Sequence, residues 1–197
     1  MKYFKNLNLY QKFVIAIFFI GLIYMLLPGA SSINNLPPLP GSTKSNLEGD
    51  TIQNPNIAAY FSDYRRGFIT TFYREKFEKN LLFGIRIPSI AINHPPEAAY
   101  TYVRDQQEST FLEEYVYPLR ESFFVNGYEP LIENRMFNKV DSETDVANFL
   151  HDGDSYFNSK ATIRYYPSNI FLRTLNYLLF WIAILGLYKL SIKVIKE

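Results

Sequence analysis

Three groups of side chains in this 197-residue chain have types and spacings that could do chemistry. His94 and Glu97 stand three residues apart in INHPPEAAYTYVRDQQESTF, and on a helix such a pair shares a face where it could hold a metal or exchange a proton. His151, Asp152 and Asp154 could coordinate calcium or a transition metal. Glu113, Glu114 and Glu121 could furnish the two carboxylates that glycoside hydrolysis uses. Each group has a plainer reading that weighs more. A histidine at a helix start needs no ligand, and a glutamate in a first turn complements the helix dipole. The aspartates around Gly153 lack the later acidic ligands and closing glutamate of a calcium loop. Glutamates in an acidic region will often be neighbours by chance. The chain lacks a G-x-S-x-G elbow, an H-E-x-x-H pair and a glycine-rich phosphate loop, and with two histidines and no cysteine it has few ways to build a transition-metal site. No cofactor and no metal are expected.

The elements that would position these residues lie between two apolar segments. Residues 57–82 carry Tyr60, Phe61, Tyr64, Phe68 and Phe72 at three- and four-residue spacing, which predicts a helix leaving Asp63, Arg66, Arg74 and Glu78 to water. FGIRIPSIAI (83–92) alternates as a strand, with Pro88 confining it to an edge or a bulge. Asn93 or His94 is placed to cap a helix through Pro95, Pro96 and Glu97. The apolar face turns by roughly 140° between Ala98–Val103 and Phe111–Leu119, which implies either a helix break or a helix buried on two sides, and Thr110–Glu113 fits a capping box for a second helix ended by Pro118. Asn126–Gly127 reads as a turn, Ser142–Leu150 as a capped helix and ATIRYY (161–166) as a strand. The expected class is α+β: a helix-rich extracytoplasmic domain (57–169) with a small sheet, flanked by two transmembrane helices.

The first apolar segment, residues 13–27, is fifteen residues long, short for a spanning helix of roughly 20 residues, and small residues follow it that could host signal cleavage. Leu7, Leu9 and Tyr10 extend it, which favours an uncleaved anchor. The second, residues 170–190, is about 31 Å long as a helix. Arg173 lies near its outer end, where it can snorkel. Asn176 falls at the depth of Tyr24 if the helices are antiparallel, so a hydrogen bond between those two is one expectation, and contact with water or backbone is the other. The overall charge of +1 hides an asymmetry: from Ile57 to Asn169 twelve Lys or Arg face sixteen Asp or Glu, a net of −4, while both tails, 1–12 and 191–197, are basic. The positive-inside rule then places both termini in the cytoplasm and residues 33–169 outside the cytoplasmic membrane. An acidic middle argues against nucleic acid as a partner. Residues 28–56 hold five prolines and no apolar period, and read as a flexible extracytoplasmic tether.

The pieces YFSDYRRGF, HPPEAAYTYVRDQ and STFLEEYVYPLRESFFVNGYEP resemble segments of uncharacterised membrane-anchored envelope proteins from small-genome candidate-phylum bacteria, over about Pro37–Pro130. The resemblance implies a bacterial envelope protein and carries over no catalytic residue. Three functions are consistent with these readings: binding of another envelope protein or a cell-wall component, a cell-wall-active enzyme using paired carboxylates, and an accessory subunit of a membrane complex. The first is preferred over the enzyme without closing the question of catalysis, and the lipid bilayer is expected as a further partner.

Overall fold

The computed structural model describes residues 8–29, 32–46, 50, 56–78, 86–98, 109–129, 151–152 and 155–196. The chain divides into two compact units, one from Met1–Pro28 with Ser168–Glu197 and one from Gly29–Pro167. The described residues form a mixed α+β protein with three helices and a six-stranded antiparallel sheet.

The first unit is a pair of apolar helices, α1 (Leu9–Leu26) and α3 (Ile170–Lys196). Both are long and apolar enough to cross a membrane. α1 begins four residues before the fifteen-residue apolar run because Asn8 and Gln11 close a reciprocal capping box, Asn8 Oδ1 accepting from the Gln11 amide at 2.8 Å and Gln11 Oε1 accepting from the Asn8 amide at 3.1 Å. Asn169 caps α3, its Oδ1 accepting from the Phe171 and Leu172 amides at 2.9 and 3.2 Å. Tyr177 donates to the Phe18 carbonyl at 2.9 Å, and its ring occupies the space left by Gly21, where a Cβ would come within 2.2 Å of the hydroxyl. Trp181 stands edge-on to Phe18 at 5.5 Å. Contacts descend α1 as they ascend α3, so the two helices run antiparallel.

The second unit is a sheet of order β1-β2-β8-β5-β4-β3, with every pairing antiparallel. Its strands are β1 (Thr43–Lys44), β2 (Ile57–Ser62), β3 (Ile90–His94), β4 (Phe111–Tyr117), β5 (Glu121–Tyr128) and β8 (Ser159–Tyr166); β6 (His151–Asp152) and β7 (Ser155–Tyr156) make a separate two-stranded piece. Helix α2 (Arg66–Glu78) packs on one face of the large sheet. Its inward stripe is Ile69, Tyr73 and Phe77, spaced by four, with Tyr73 and Phe77 both against Phe123 of β5.

Several expectations are corrected here, and the domain is richer in strand than the helix-rich reading allowed. The helix expected over 57–82 begins only at Arg66. IAAYFS is buried on both faces between β1 and β8, and a short apolar run of that kind fits a core strand as well as a helix. Tyr64, just before α2, and Phe68 and Phe72 on it stack as a ladder outside the inward stripe. Glu78, expected in water, is buried. The helix expected from Thr110 is strand β4, because Phe111, Tyr115 and Tyr117 alternate onto α2. Thr110 closes the strand pair instead, its hydroxyl 3.3 Å from Gly127 O and 3.1 Å from the Glu129 amide. Asn126–Gly127 is mid-strand, and Gly127 is required because the Phe111 ring lies where its Cβ would be, 2.1 Å away. His94 ends strand β3, and Pro96–Ala98 form only a short 3-10 turn.

The proline-rich stretch is docked over part of its length. Ile33, Leu36 and Leu39 are buried and Thr43–Lys44 pair with β2. A three-residue period suits a chain turning every three residues, as a 3-10 turn and an extended proline-rich segment both do, so one face goes inward while Pro37, Pro38 and Pro40 stay exposed. The ATIRYY strand is observed within β8. The expected helix over 142–150, and the turn of apolar face between Asp105 and Thr110, lie outside the described residues.

Candidate functional site

Adjacent residues on a strand point to opposite faces, which separates the candidate carboxylates. Glu113 faces α2. Its Oε1 accepts from Arg66 Nε at 3.0 Å and Nη2 at 2.7 Å, and the Tyr115 hydroxyl lies 2.6 Å from its Oε2. The same Arg66 Nη2 donates to Asn93 Oδ1 at 3.0 Å. Burial, reinforced by the Glu113 charge, pushes the Tyr115 phenol above its usual range.

Glu114 faces the other side, where the sheet register sets it in a row with Phe124 and Arg164 across β4, β5 and β8. His94, twenty residues earlier in the chain, reaches it from β3: Nε2 lies 2.7 Å from Glu114 Oε2, with both side chains largely covered, 17% and 15% exposed. The imidazole stacks on Phe124 at 6.0 Å. Tyr166 stands edge-on to Phe124 at 5.5 Å, and the Arg164 guanidinium lies over the Tyr166 ring at 4.7 Å. Arg164 Nε is buried with no hydrogen-bond partner among the described residues. Leu112 and Ala98 fill in behind Phe124. One sheet face therefore carries two aromatic rings, a cation and a histidine–carboxylate pair.

This cluster borders an open groove of about 320 Å³ lined by Glu114, Val116, Leu119, Ser122, Tyr166 and Pro167 among others. Glu121 also lines it, but is buried and accepts from Arg120 Nη2 at 2.7 Å. Glu97 is exposed on its short turn. The structure thus brings His94 to Glu114 in place of Glu97, and sends Glu113 and Glu114 to opposite faces. His151 and Asp152 form β6, and Asp154 lies outside the described residues. No group of three or more His, Asp or Glu able to hold a metal occurs among the described residues.

In the helix pair, Arg173 turns toward α1. It is 6% exposed and donates from Nε to the Met25 carbonyl at 2.6 Å, to the Leu27 carbonyl, and from Nη1 to Ser168 Oγ at 2.9 Å. The last carbonyls of a helix have no intrahelical donor, and a cation beside them also opposes the negative end of the helix dipole. The guanidinium therefore caps α1 from α3. Asn176 lies on the exposed side of α3, and Tyr24 is half-buried.

Sequence reasoning missed the Glu78 centre. Glu78 is 2% exposed and accepts from Arg74 Nε at 3.0 Å, Arg86 Nε at 2.7 Å, and the Ser89 amide and hydroxyl at 2.9 and 3.0 Å. Burial pushes its pKa up, and the Ser89 amide with Arg86, Arg74 and the Ser89 hydroxyl more than reverses this, to about 2. This is a structural staple joining α2 to the approach of β3. The only local sign of it is the Arg74–Glu78 spacing of four.

The fold and site define a mixed α+β protein with two helices apolar and long enough to span a membrane and a polar-aromatic cluster on one sheet face. Compared with protein-family models, curated proteins and solved structures, the chain matches none.

Proposed function

We propose that this chain is an envelope protein held in the cytoplasmic membrane by α1 and α3 as a hairpin, with both termini cytoplasmic and residues 33–169 extracytoplasmic, and that its sheet domain binds another envelope component. The carrying observation is the sheet face on which Phe124 and Tyr166 are flanked by Arg164 and by His94–Glu114. An exposed tyrosine held edge-on against the buried Phe124, beside a cation and a carboxylate, suits recognition of a polar ligand with flat or apolar faces. The paired-carboxylate enzyme loses support, since Glu113 and Glu114 occupy opposite faces and Glu113 and Glu121 are each engaged by an arginine. The Arg173 cap supports retention of α1 as an anchor, because it ties the end of α1 to a helix some 150 residues later.

Affinity capture of the intact membrane protein tests the binding reading. Wild type should retain a specific envelope protein or cell-wall fragment that Arg164→Ala and Tyr166→Ala both lose. Equal capture by both variants would overturn the assignment of this face. Reporter fusions at the two termini test orientation, and an external C-terminus would refute it. The outward Asn176 favours a second reading, a subunit of a membrane complex, because an amide on an otherwise apolar helix gains from a hydrogen bond to another helix. Photocrosslinking from position 176 that captures only lipid would remove that reading.

A further inference from the structure

The turn joining β4 to β5 is strained in a way that its own packing does not offset. The Arg120 amide donates to the Tyr117 carbonyl at 2.9 Å across Pro118 and Leu119. Proline at the second position and a positive φ at the third define a type II turn, whose third residue is ordinarily glycine. Here it is Leu119, with φ 64°. Its side chain is 79% exposed, so burial within the chain recovers none of the strain. Beside it lies the open groove whose walls include Val116, Tyr117, Tyr166 and Pro167. Ile90, opposite Val116 in register, is exposed as well. Of the charged side chains that line the groove, Arg120 is paired with Glu121 and Glu114 is hydrogen-bonded to His94, while Arg164 is not among the lining residues.

Continuity of the chain says what could cover such a surface. Tyr166 and Pro167 are followed by only Ser168 and Asn169 before the apolar helix α3 begins at Ile170. The wall of the groove and the start of a candidate span are therefore nearly one segment. We propose that this groove, with Leu119 at its tip, seats against the headgroup–acyl boundary of the bilayer that α3 enters, an inference that rests on the membrane reading above. A projecting leucine and an exposed isoleucine gain in acyl chains what they lack in water, and Tyr166 stays with the ligand face described above. Because Glu114, Arg120 and Glu121 are already engaged within the chain, the contact is made by apolar side chains and needs no anionic lipid.

The chain contains no cysteine, so a single introduced one carries a label without ambiguity. Full-length Leu119→Cys and Ile90→Cys, each with a nitroxide, are reconstituted into phosphatidylcholine vesicles and recovered by flotation. Thr71→Cys, an exposed position on α2, serves as the aqueous reference. The expected result is that labels at 119 and 90 collide mainly with oxygen, which concentrates in lipid, and little with a water-soluble nickel chelate, with no change at high salt or on adding phosphatidylglycerol. Adding Leu119→Gly to the Ile90→Cys protein should shift the label at 90 toward the chelate. Labels at 119 and 90 as open to the chelate as the label at 71 would overturn this inference and leave the membrane reading standing; failure to float would overturn both. Spin–spin broadening that disappears on dilution with unlabelled chain would place a second copy on the groove and also overturn it.

Discussion

Replacing Glu78 by glutamine keeps the shape of the side chain and removes its charge, which isolates the electrostatic part of the α2 staple. Two of its four hydrogen bonds come from arginines, at 3.0 and 2.7 Å. Bonds of this kind contribute about 1.5–3 kcal/mol each. Arg74 and Arg86 are 41% and 49% exposed and can turn to water when the charge is gone, so the lower end applies and the expected loss at neutral pH is about 2–3 kcal/mol. The pH dependence gives an independent figure. The carboxyl sits at about 2 in the folded chain against 4.5 for the ordinary group. At about 1.4 kcal/mol per pH unit that gap is worth about 3 kcal/mol, discounted to about 2 for solvent screening of the exposed arginines. The sign follows from the depressed value: the contribution is complete above pH 4.5 and is lost as pH falls from there through about 2. The assay is urea unfolding of the full chain in detergent, followed by near-ultraviolet circular dichroism of the domain aromatics, for wild type and Glu78→Gln at pH 7 and across the acid range. The difference between the two proteins should be about 2–3 kcal/mol at pH 7 and shrink toward zero near pH 2. A difference that is small at pH 7, or that holds constant down to pH 2, refutes the reasoning.

Four further outcomes follow from single contacts. Leu119→Gly relieves the left-handed turn and should stabilise the domain by about 1 kcal/mol in the same unfolding assay. Gly127→Ala drives a methyl into the Phe111 ring and should destabilise it by about 1–3 kcal/mol, largely recovered by adding Phe111→Leu. Leu39→Ala removes a fully buried side chain, at about 2–4 kcal/mol locally, and should make residues 32–46 sensitive to limited proteolysis while the sheet core stays resistant. Arg173→Leu removes the cap on α1; distance measurements between spin labels on α1 and α3 should broaden, and Arg173→Lys, with fewer donors, should restore them only in part.

The two apolar helices and the strand over 161–166 were legible without coordinates because each depends mainly on its own residues. Apolar runs favour lipid residue by residue, and ATIRYY combines β-branched and aromatic side chains between polar ones. The candidate site was legible only as separate names. His94 and Glu114 were both singled out, but their contact depends on the register of β3 against β4, and the assignment of His94 to Glu97 rested on a helix start where the described residues are a strand end and a 3-10 turn. Phe124, Arg164 and Tyr166 carry no local signal and become a cluster only when β4, β5 and β8 lie side by side.

The amino-acid sequence by itself determined the two apolar helices, the charge asymmetry around them, the lack of thiol chemistry and the mixed α+β class, all properties of composition and short-range period. Tertiary structure alone decided that IAAYFS is a core strand, that FLEEYVYPLRESFFVNGY is a hairpin, that Ile33, Leu36 and Leu39 dock, and that Arg173 caps α1. The physical reason is common to all four. A short apolar or capped segment is compatible with more than one local conformation, and the choice falls to the partner surface that buries it, which is supplied by residues far away in the chain.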